Sequence, residues 1–144
     1  MTSQSTEAVL RGLLAERIVY LDGAMGTEVQ ARKLEEADFR GERFTDHPRA
    51  LQGNNDLLVL TQPEVISAIH RSFLEAGSDI LETNTFNATR ISQADYGLEE
   101  CVTEINREAA RLAVAAAREY RDSVEDRPVF VAGGIGRTNR TASL

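Results

Sequence analysis

Apolar residues form helical stripes and short continuous runs along the chain, and the alternation of these two patterns predicts helices that connect short buried strands. A helical stripe follows Ser5 and predicts an amphipathic helix near the start. A second helix is predicted to begin near Thr61, because Thr61 and Glu64 have capping-box spacing and Pro63 lies in the first turn. Gly77 supplies the left-handed residue that ends it. Its buried stripe is predicted to consist of Val65, Ile66, Ile69, Phe73 and Leu74.

Three short apolar runs have the length and composition of buried parallel strands. They cover residues 18–21, 79–83 and 128–132, and each ends in a polar or glycine-rich turn. A further amphipathic helix is predicted from about Leu98 to Tyr120, between the second and third runs. The order strand, helix, strand, helix, strand is typical of a parallel α/β sheet. This pattern alone leaves a doubly wound sheet and a (β/α)8 barrel both open.

The segment from Lys33 to Asn55 shows no sustained hydrophobic period. It is rich in charged residues and contains Gly41, Pro48 and Gly53. We therefore expect a long excursion over the ends of the strands. Excursions of this length are often functional.

Length and charge limit the classes of protein that this chain can represent. Its 144 residues suffice for one domain with a core. Sixteen basic against 23 acidic residues give a net charge of −7, which repels the phosphate backbone, so we expect no binding to nucleic acid. The apolar runs are far shorter than the ~20 residues that cross a bilayer, and residues 1–8 are polar. We therefore expect a soluble cytoplasmic protein without a membrane partner.

Cysteine and histidine are scarce. Cys101 is the single cysteine, so the chain forms no internal disulfide and no multi-cysteine metal site of its own. We interpret Cys101 as a small buried hydrophobic residue. His47 and His70 are the two histidines, and His70 lies in an apolar-rich helix, where packing is a commoner role than metal binding. The sequence thus predicts no metal ligands in this chain.

The turn after the first predicted strand contains the first candidate binding residues. Asp22 and Gly23 begin the sequence Asp-Gly-Ala-Met-Gly-Thr, whose glycines allow backbone N–H groups to approach a small anion closely. A plain Asp-Gly turn is the alternative, and the six residues alone favour it. Carboxyl ends of parallel strands are the usual place for ligands in α/β folds, which gives these positions functional weight.

Polar residues also follow the second and third predicted strands. Glu82 and Asn84 end the second, and a carboxylate there needs a partner such as a substrate ammonium group or an internal cation. Thr138 and Asn139 follow the third and offer hydroxyl and amide groups to the same pocket, although capping is the simpler role for Thr138. We predict that Asp22, Gly23, Glu82, Asn84 and Asn139 converge at one end of the sheet.

Four segments occur in the same order as in a known family. They are LDGAMGT (residues 21–27), EADFRGERF (36–44), the run from Asn54 to Phe86, and GRTNRTAS (136–143). Together they resemble the homocysteine-binding domain of cobalamin-dependent methionine synthase. The resemblance implies that residues 18–144 are the N-terminal portion of a (β/α)8 TIM barrel, with about three parallel strands, flanking helices and an incomplete barrel. Residues 1–17 would form a separate helical segment.

The resemblance also implies a reaction. Enzymes of this family bind zinc through three cysteines, which converts the homocysteine thiol to a thiolate, and methionine synthase then transfers a methyl group from methylcobalamin to give methionine. 5-Methyltetrahydrofolate remethylates the cobalamin in further folate and cobalamin domains. The zinc-binding cysteines belong to later strands, so we expect this chain to bind neither zinc nor cobalamin alone and to be inactive without the remainder of the barrel. Asp22, Gly23, Glu82, Asn84, Thr138 and Asn139 would bind homocysteine.

Two alternatives remain open at this stage. The shorter betaine- or S-methylmethionine-using homocysteine methyltransferases are the first, although the EADFRGERF and GNNDLLVL segments favour methionine synthase. A non-catalytic truncated product is the second. One residue departs from the family pattern: Arg137 stands where proline usually follows the glycine after the third strand, which makes that turn freer.

Overall fold

The described part of the chain contains a sheet of two parallel strands and one residue that pairs with this sheet through an isolated β-bridge. The computed structural model describes residues 5–124 and 127–138. Strand β1 (Ile80–Glu82) pairs in parallel with β2 (Phe130–Ala132), with Ile80 opposite Phe130 and Glu82 opposite Ala132. The helices in these residues are α1 (Thr6–Glu16), α2 (Met25–Ala31), α3 (Glu36–Arg40), α4 (Leu58–Thr61), α5 (Pro63–Glu75), α6 (Arg90–Gln93) and α7 (Val102–Ser123), with short 3-10 helices at Asn55–Leu57 and Glu99–Cys101.

The predicted first strand is reduced to a single β-bridge, so the described residues form two strands where the sequence predicts about three. Leu21 forms a parallel bridge with Ile80, and the backbone carbonyl of Tyr20 accepts N–H groups from Asp79 and Ile80. Among the described residues this segment has a sheet neighbour on one side only. Ile18 is 72% exposed and Tyr20 60% exposed, so the prediction of a fully buried strand is wrong for these side chains. The segment still lies in the order expected of a parallel sheet.

Helices α5 and α7 pack against each other and against the strands. The apolar side chains of both helices lie on one face, as the sequence predicts. Those buried on α5 and α7 include Ile66, Ile69, Leu74, Ile105, Ala109, Leu112, Ala113 and Ala116. Truncation of one such large side chain to alanine typically costs about 2–5 kcal/mol, so this interface is a principal source of stability.

The ends of α5 confirm two predictions and correct a third. Pro63 occupies the first turn, and Gly77 follows the helix with a φ of 101°. The capping box is wrong, because Thr61 is the last residue of α4 and Gln62 precedes Pro63 as the N-cap. The Thr61 side chain instead lies against Gly41, where a Cβ would come within 3.2 Å of it.

Helix α1 begins where the sequence indicates but remains largely exposed. The Ser5 hydroxyl accepts a hydrogen bond of 3.2 Å from the N–H of Ala8, as expected of an N-cap. None of its described residues is buried, and Leu14 is 59% exposed. In the part of the chain that the structure describes, no helix has the length and apolar character needed to cross a membrane.

The predicted excursion contains the short helix α3 and a loop that is held by side chains. The Arg40 guanidinium donates to four backbone carbonyls of one loop, those of Phe44, Thr45, His47 and Arg49. The Glu36 carboxylate pairs with Arg40 and accepts the N–H groups of Leu51 and Gln52. Side chains of the EADFRGERF segment thus bond to the backbone of the loop that follows α3. Hydrophobic periodicity in the sequence does not detect such contacts.

A buried carboxylate fixes the opposite end of β1. Asp79 is 1% exposed and accepts two hydrogen bonds of 2.8 Å from Arg17. Arg127 donates another of 3.0 Å, and the N–H of Tyr20 a fourth of 3.0 Å. The Arg17 guanidinium beside Asp79 holds the pKa of that carboxyl below its usual range. Asp79, which directly precedes β1, therefore connects the segment before the Leu21 bridge with the segment before β2.

Candidate functional site

A cleft of about 340 Å³ lies at the carboxyl ends of the bridging segment and of β1. The turn after Leu21 forms one wall, and the loop after β1 forms another. The lining residues are Asp22, Gly23, Ala24, Met25, Gly26, Asn55, Asp56, Glu82, Thr83, Asn84, Thr85, Phe86 and Asn87. Ligands bind at this end of the strands in parallel α/β folds, so the cleft is the candidate site.

Two acidic residues meet in this cleft. The Asp22 Oδ1 atom accepts a hydrogen bond of 2.7 Å from the backbone N–H of Glu82. Asp22 is 8% exposed, and this burial, with a smaller contribution from the nearby Glu82 charge, raises the pKa of Asp22 to about 6. The Glu82 side chain is exposed. One carboxylate thus fixes the backbone while the other remains accessible to a ligand.

Hydroxyl groups join the loop after β1 to the loop after β2. Thr85 Oγ1 donates to the carbonyl of Gly134 at 2.7 Å, and Thr83 Oγ1 accepts the Gly134 N–H at 2.9 Å. The two threonine hydroxyls are 2.7 Å apart; because Thr85 has one proton, Thr83 donates to it. A Cβ on Gly134 would lie 3.0 Å from both Glu82 Oε1 and the Thr83 carbonyl, so this close approach favours glycine.

Residues just before α4 complete the cleft. The Asn84 side-chain amide donates to the backbone carbonyl of Asn55 at 2.8 Å. Asp56 is 3% exposed, accepts the N–H of Asn87 at 2.9 Å, and has a pKa raised by burial. These contacts hold the loop after β1 against the end of the excursion.

The six sequence-predicted site residues fall into three groups. Asp22, Gly23, Glu82 and Asn84 line the cleft together. Thr138 is exposed and lines an adjoining cleft of about 410 Å³, which shares Asp56, Phe86 and Asn87 with the first. Arg137 also lines the adjoining cleft. Asn139 lies outside the described residues.

Sequence reasoning missed several contributors to the cleft. Asn55 and Asp56 stand at the end of the excursion, and Thr85 lies in the motif after β1, yet none was assigned a site role. The available signal was the run Asn54-Asn55-Asp56 directly after Gly53, since consecutive polar residues before an apolar helix need partners when they are buried.

The few potential metal ligands are separate from one another. Across residues 5–124 and 127–138, no group of three or more His, Cys, Asp or Glu side chains is arranged to hold a metal. Cys101 is only partly buried against the core, which corrects the expectation of a buried residue, and desolvation raises the pKa of its thiol. His47 Nε2 contacts the carbonyl of Tyr96 at 2.8 Å. The zinc site of a homocysteine methyltransferase therefore does not fit these residues.

His70 is completely buried on α5. Neither ring nitrogen has a hydrogen-bond partner among residues 5–124 and 127–138, and burial lowers the pKa of His70 to about 4. The ring is therefore neutral at physiological pH and serves in packing, which agrees with the role that the apolar helix indicates.

Parallel strand segments, with helices after the Leu21 bridge and after β1, and carboxylates gathered at the strand ends define a parallel α/β domain with its candidate site at the strand ends. The sequence profile described as homocysteine S-methyltransferase matches residues 19–144, and the chain belongs to this family. The described residues form an incomplete part of its TIM-barrel-type fold.

Two solved structures are similar to this chain. The homocysteine methyltransferase MmuM from Escherichia coli in its oxidized form has a TM-score of 0.68 and 28% identity, covering 88% of this chain and 40% of that chain. The metallated form of MmuM has a TM-score of 0.67 and 28% identity, covering 88% of this chain and 41% of that one. The chain thus spans about two-fifths of the length of these structures.

Proposed function

We propose that this chain supplies the amino-acid-binding part of a homocysteine S-methyltransferase, and that the complete enzyme is a cobalamin-dependent methionine synthase. The observation that carries the proposal is the cleft at the strand ends in a chain that belongs to this family. Homocysteine has an ammonium group, a carboxylate and a thiol, so its site needs groups of both polarities. The remaining strands of the barrel and the folate and cobalamin domains would be its partners.

Glu82 is the proposed partner of the substrate ammonium group. Its carboxylate is exposed in the cleft, whereas the Asp22 carboxylate already accepts the Glu82 N–H. Asp22 therefore orients the backbone from which Glu82 extends. Asn84 is held by Asn55 and adds an amide oxygen to the same wall.

Gly23 is the proposed contact for the substrate carboxylate. A Cβ placed on Gly23 would meet no atom within 4 Å, so the space beside this backbone is open. A small anion can approach the backbone closely only where such a side chain is absent. The ammonium and carboxylate of one amino acid would then lie between Glu82 and Gly23. Thr138 and Asn139, in the turn after β2, are proposed to contribute from the adjoining side.

The thiol requires a separate source of activation. A thiol with a pKa near ~8.5 is mostly protonated at neutral pH, and a metal bound by three cysteines would remove that proton when present. This sequence contains one cysteine. We therefore expect the chain alone to bind homocysteine without transferring a methyl group.

A second candidate has support from the structural comparison. The likeness to MmuM fits a shorter homocysteine methyltransferase, which uses S-methylmethionine or betaine, as well as it fits methionine synthase. The two candidates share the homocysteine cleft and differ in the methyl donor. The donor therefore distinguishes them.

A methyl-transfer assay tests the proposal. The 144-residue chain is combined with a polypeptide that supplies the metal-binding cysteines and the other strands of the barrel, and each component is also assayed alone. Labelled methylcobalamin, S-methylmethionine and betaine are compared as donors to homocysteine. Transfer from methylcobalamin that occurs in the mixture, but with neither component by itself, supports methionine synthase. Transfer from S-methylmethionine or betaine supports the second candidate. Activity of the chain alone would contradict the proposed division of roles.

A further inference from the structure

Three consecutive residues before α4 each bond to the polypeptide that follows β1. Asn54 bonds to Gln93 at the end of α6, the Asn55 carbonyl accepts from Asn84, and the Asp56 carboxylate accepts the N–H of Asn87. The three contacts join two segments that are about thirty to forty residues apart in sequence. They fix the loop that forms one wall of the cleft.

The Asn54–Gln93 contact is a reciprocal pair of amides. Asn54 Nδ2 donates to Gln93 Oε1 at 2.8 Å, and Gln93 Nε2 donates to Asn54 Oδ1 at 3.0 Å. Gln93 is 0% exposed and Asn54 2% exposed, so water does not compete for these groups.

Gln93 makes one further bond with its second amide proton. Its Nε2 donates to the backbone carbonyl of Asn87 at 3.2 Å, while the N–H of Asn87 donates to Asp56. The side chains of Gln93 and Asp56 therefore contact both polar groups of the Asn87 backbone, whose carbonyl also accepts the N–H of Thr89 at 2.8 Å. Gln93 lines neither of the two clefts, and its side chain reaches them through its bonds to Asn54 and Asn87.

We propose that Gln93 is a positioning residue of the homocysteine cleft, which holds the loop after β1 in the shape that presents Asn84 and Glu82 to the substrate. This inference rests on the proposed function, because it assigns a role to a residue outside the cleft in binding at that cleft. It extends that function to a residue for which the sequence motifs indicate no role.

Paired substitutions separate positioning from stability. Replacing one amide of a buried pair leaves the other without a partner, which destabilises the fold, whereas replacing both with apolar groups of similar shape is often nearly neutral. Gln93→Met should therefore lower the melting temperature, and Asn54→Leu combined with Gln93→Met should recover most of it. The double variant still lacks the bond to the Asn87 carbonyl.

The experiment measures homocysteine affinity by calorimetry and the melting temperature of wild type, Gln93→Met, and the double variant. Gln62→Met is the control. Gln62 is also a partly buried glutamine, and its side-chain amide donates a hydrogen bond to the Asp38 carbonyl. It does not line the cleft. We expect affinity to fall at least about tenfold in both Gln93 variants, while stability recovers in the double variant. Wild-type affinity in the double variant would overturn the proposal and leave Gln93 a purely structural residue.

Two hydrogen-exchange measurements keep the test decisive. If the variants do not fold, homocysteine added to the wild-type chain should slow exchange of the Gln93 and Asn54 side-chain amides, and unchanged exchange would overturn the proposal. If wild type does not bind homocysteine, the proposed function fails, but positioning is still tested without ligand. Faster exchange of the Asn87 N–H in the folded double variant, with the Asp22 N–H unchanged, then supports a role in fixing the loop; equal exchange of both overturns it.

Discussion

The Asp22 carboxylate accepts the backbone N–H of Glu82 at 2.7 Å and thereby joins the ends of two neighbouring strand segments across the candidate site. One bond thus links a residue whose ionisation is disfavoured by burial to the residue that presents an exposed carboxylate to the cleft. This bond fixes the backbone of the site, and the burial of the Asp22 carboxylate lowers the stability of the fold by an amount that can be measured.

Asp22→Asn is predicted to stabilise the fold at pH 7. The pKa of Asp22 is raised from 3.8 to about 6, so the folded state favours the protonated carboxyl and the ionised form opposes folding above that pH. Asparagine keeps the oxygen that accepts the Glu82 N–H and carries no charge. Urea unfolding should show a gain of about 1–3 kcal/mol at pH 7 that vanishes below about pH 4. Asp46→Asn, at an exposed position, is the control and should change little. A loss of stability in Asp22→Asn would show that the charge itself holds the turn.

His70→Phe is predicted to change the pH dependence in the opposite sense. The pKa of His70 is lowered from 6.5 to about 4, so its contribution to stability is lost as pH falls through this range, because the unfolded state takes up the proton first. Relative to wild type, His70→Phe should gain about 2 kcal/mol between pH 7 and pH 4.5, whereas Asp22→Asn should lose about 2 kcal/mol over the same interval. Unfolding free energies at five pH values check both slopes, and parallel curves for His70→Phe and wild type would exclude a neutral buried ring.

Asp79→Asn is predicted to be strongly destabilising. It removes the charge that Arg17 and Arg127 share, and Arg127 is itself largely buried. Because Arg17 is partly exposed, we expect a loss of about 2–4 kcal/mol at pH 7 by urea unfolding, below the upper range for a fully buried pair. The lowered pKa of Asp79 places its contribution above pH 4, so the difference from wild type should shrink as the pH falls below that value. Asp122→Asn on the exposed face of α7 is the control, and equal effects of the two changes would contradict this role.

Gly134→Ala and Gly133→Ala form a matched pair in the loop after β2. A Cβ at position 134 would lie 3.0 Å from Glu82 Oε1 and the Thr83 carbonyl, whereas one at position 133 would meet no atom within 4 Å. We expect Gly134→Ala to lose about 1–3 kcal/mol of stability and to weaken homocysteine binding, with Gly133→Ala close to wild type. Thermal unfolding and calorimetry measure the two effects. The same result for both variants would mean that the loop adjusts without affecting Glu82.

The sequence predicted the parts of this fold that depend on local pattern. Pro63 and Gly77 mark the ends of α5 because their backbone preferences act within one turn, and the stripes of α5 and α7 face the core because helical periodicity decides burial. The convergence of Asp22 and Glu82 was predictable as well, since carboxyl ends of parallel strands share one edge. These predictions use only information within or between adjacent elements.

Contacts between distant side chains were not predictable in this way. The Asn54–Gln93 pair joins residues 39 positions apart, and Arg40 closes its loop through backbone carbonyls, which every sequence contains. The predicted strand at residues 18–21 failed for a related reason: strand burial depends on neighbours on both sides, and one side has none among the described residues. Thr61 had the spacing of a cap, but the apolar residues before it were already helical.

The most direct test of the central claim is a double-mutant cycle between Glu82 and the ammonium group of the substrate. Calorimetry measures binding of L-homocysteine and of 4-mercaptobutanoic acid, which lacks that ammonium group, to wild type, Glu82→Gln and the exposed control Glu75→Gln. We expect Glu82→Gln to weaken L-homocysteine binding by about 10- to 100-fold, to leave binding of the analogue within about twofold, and Glu75→Gln to change neither. Equal effects of Glu82→Gln on both ligands, or no binding of L-homocysteine to wild type, would contradict the assignment of this cleft as the amino-acid end of a homocysteine site.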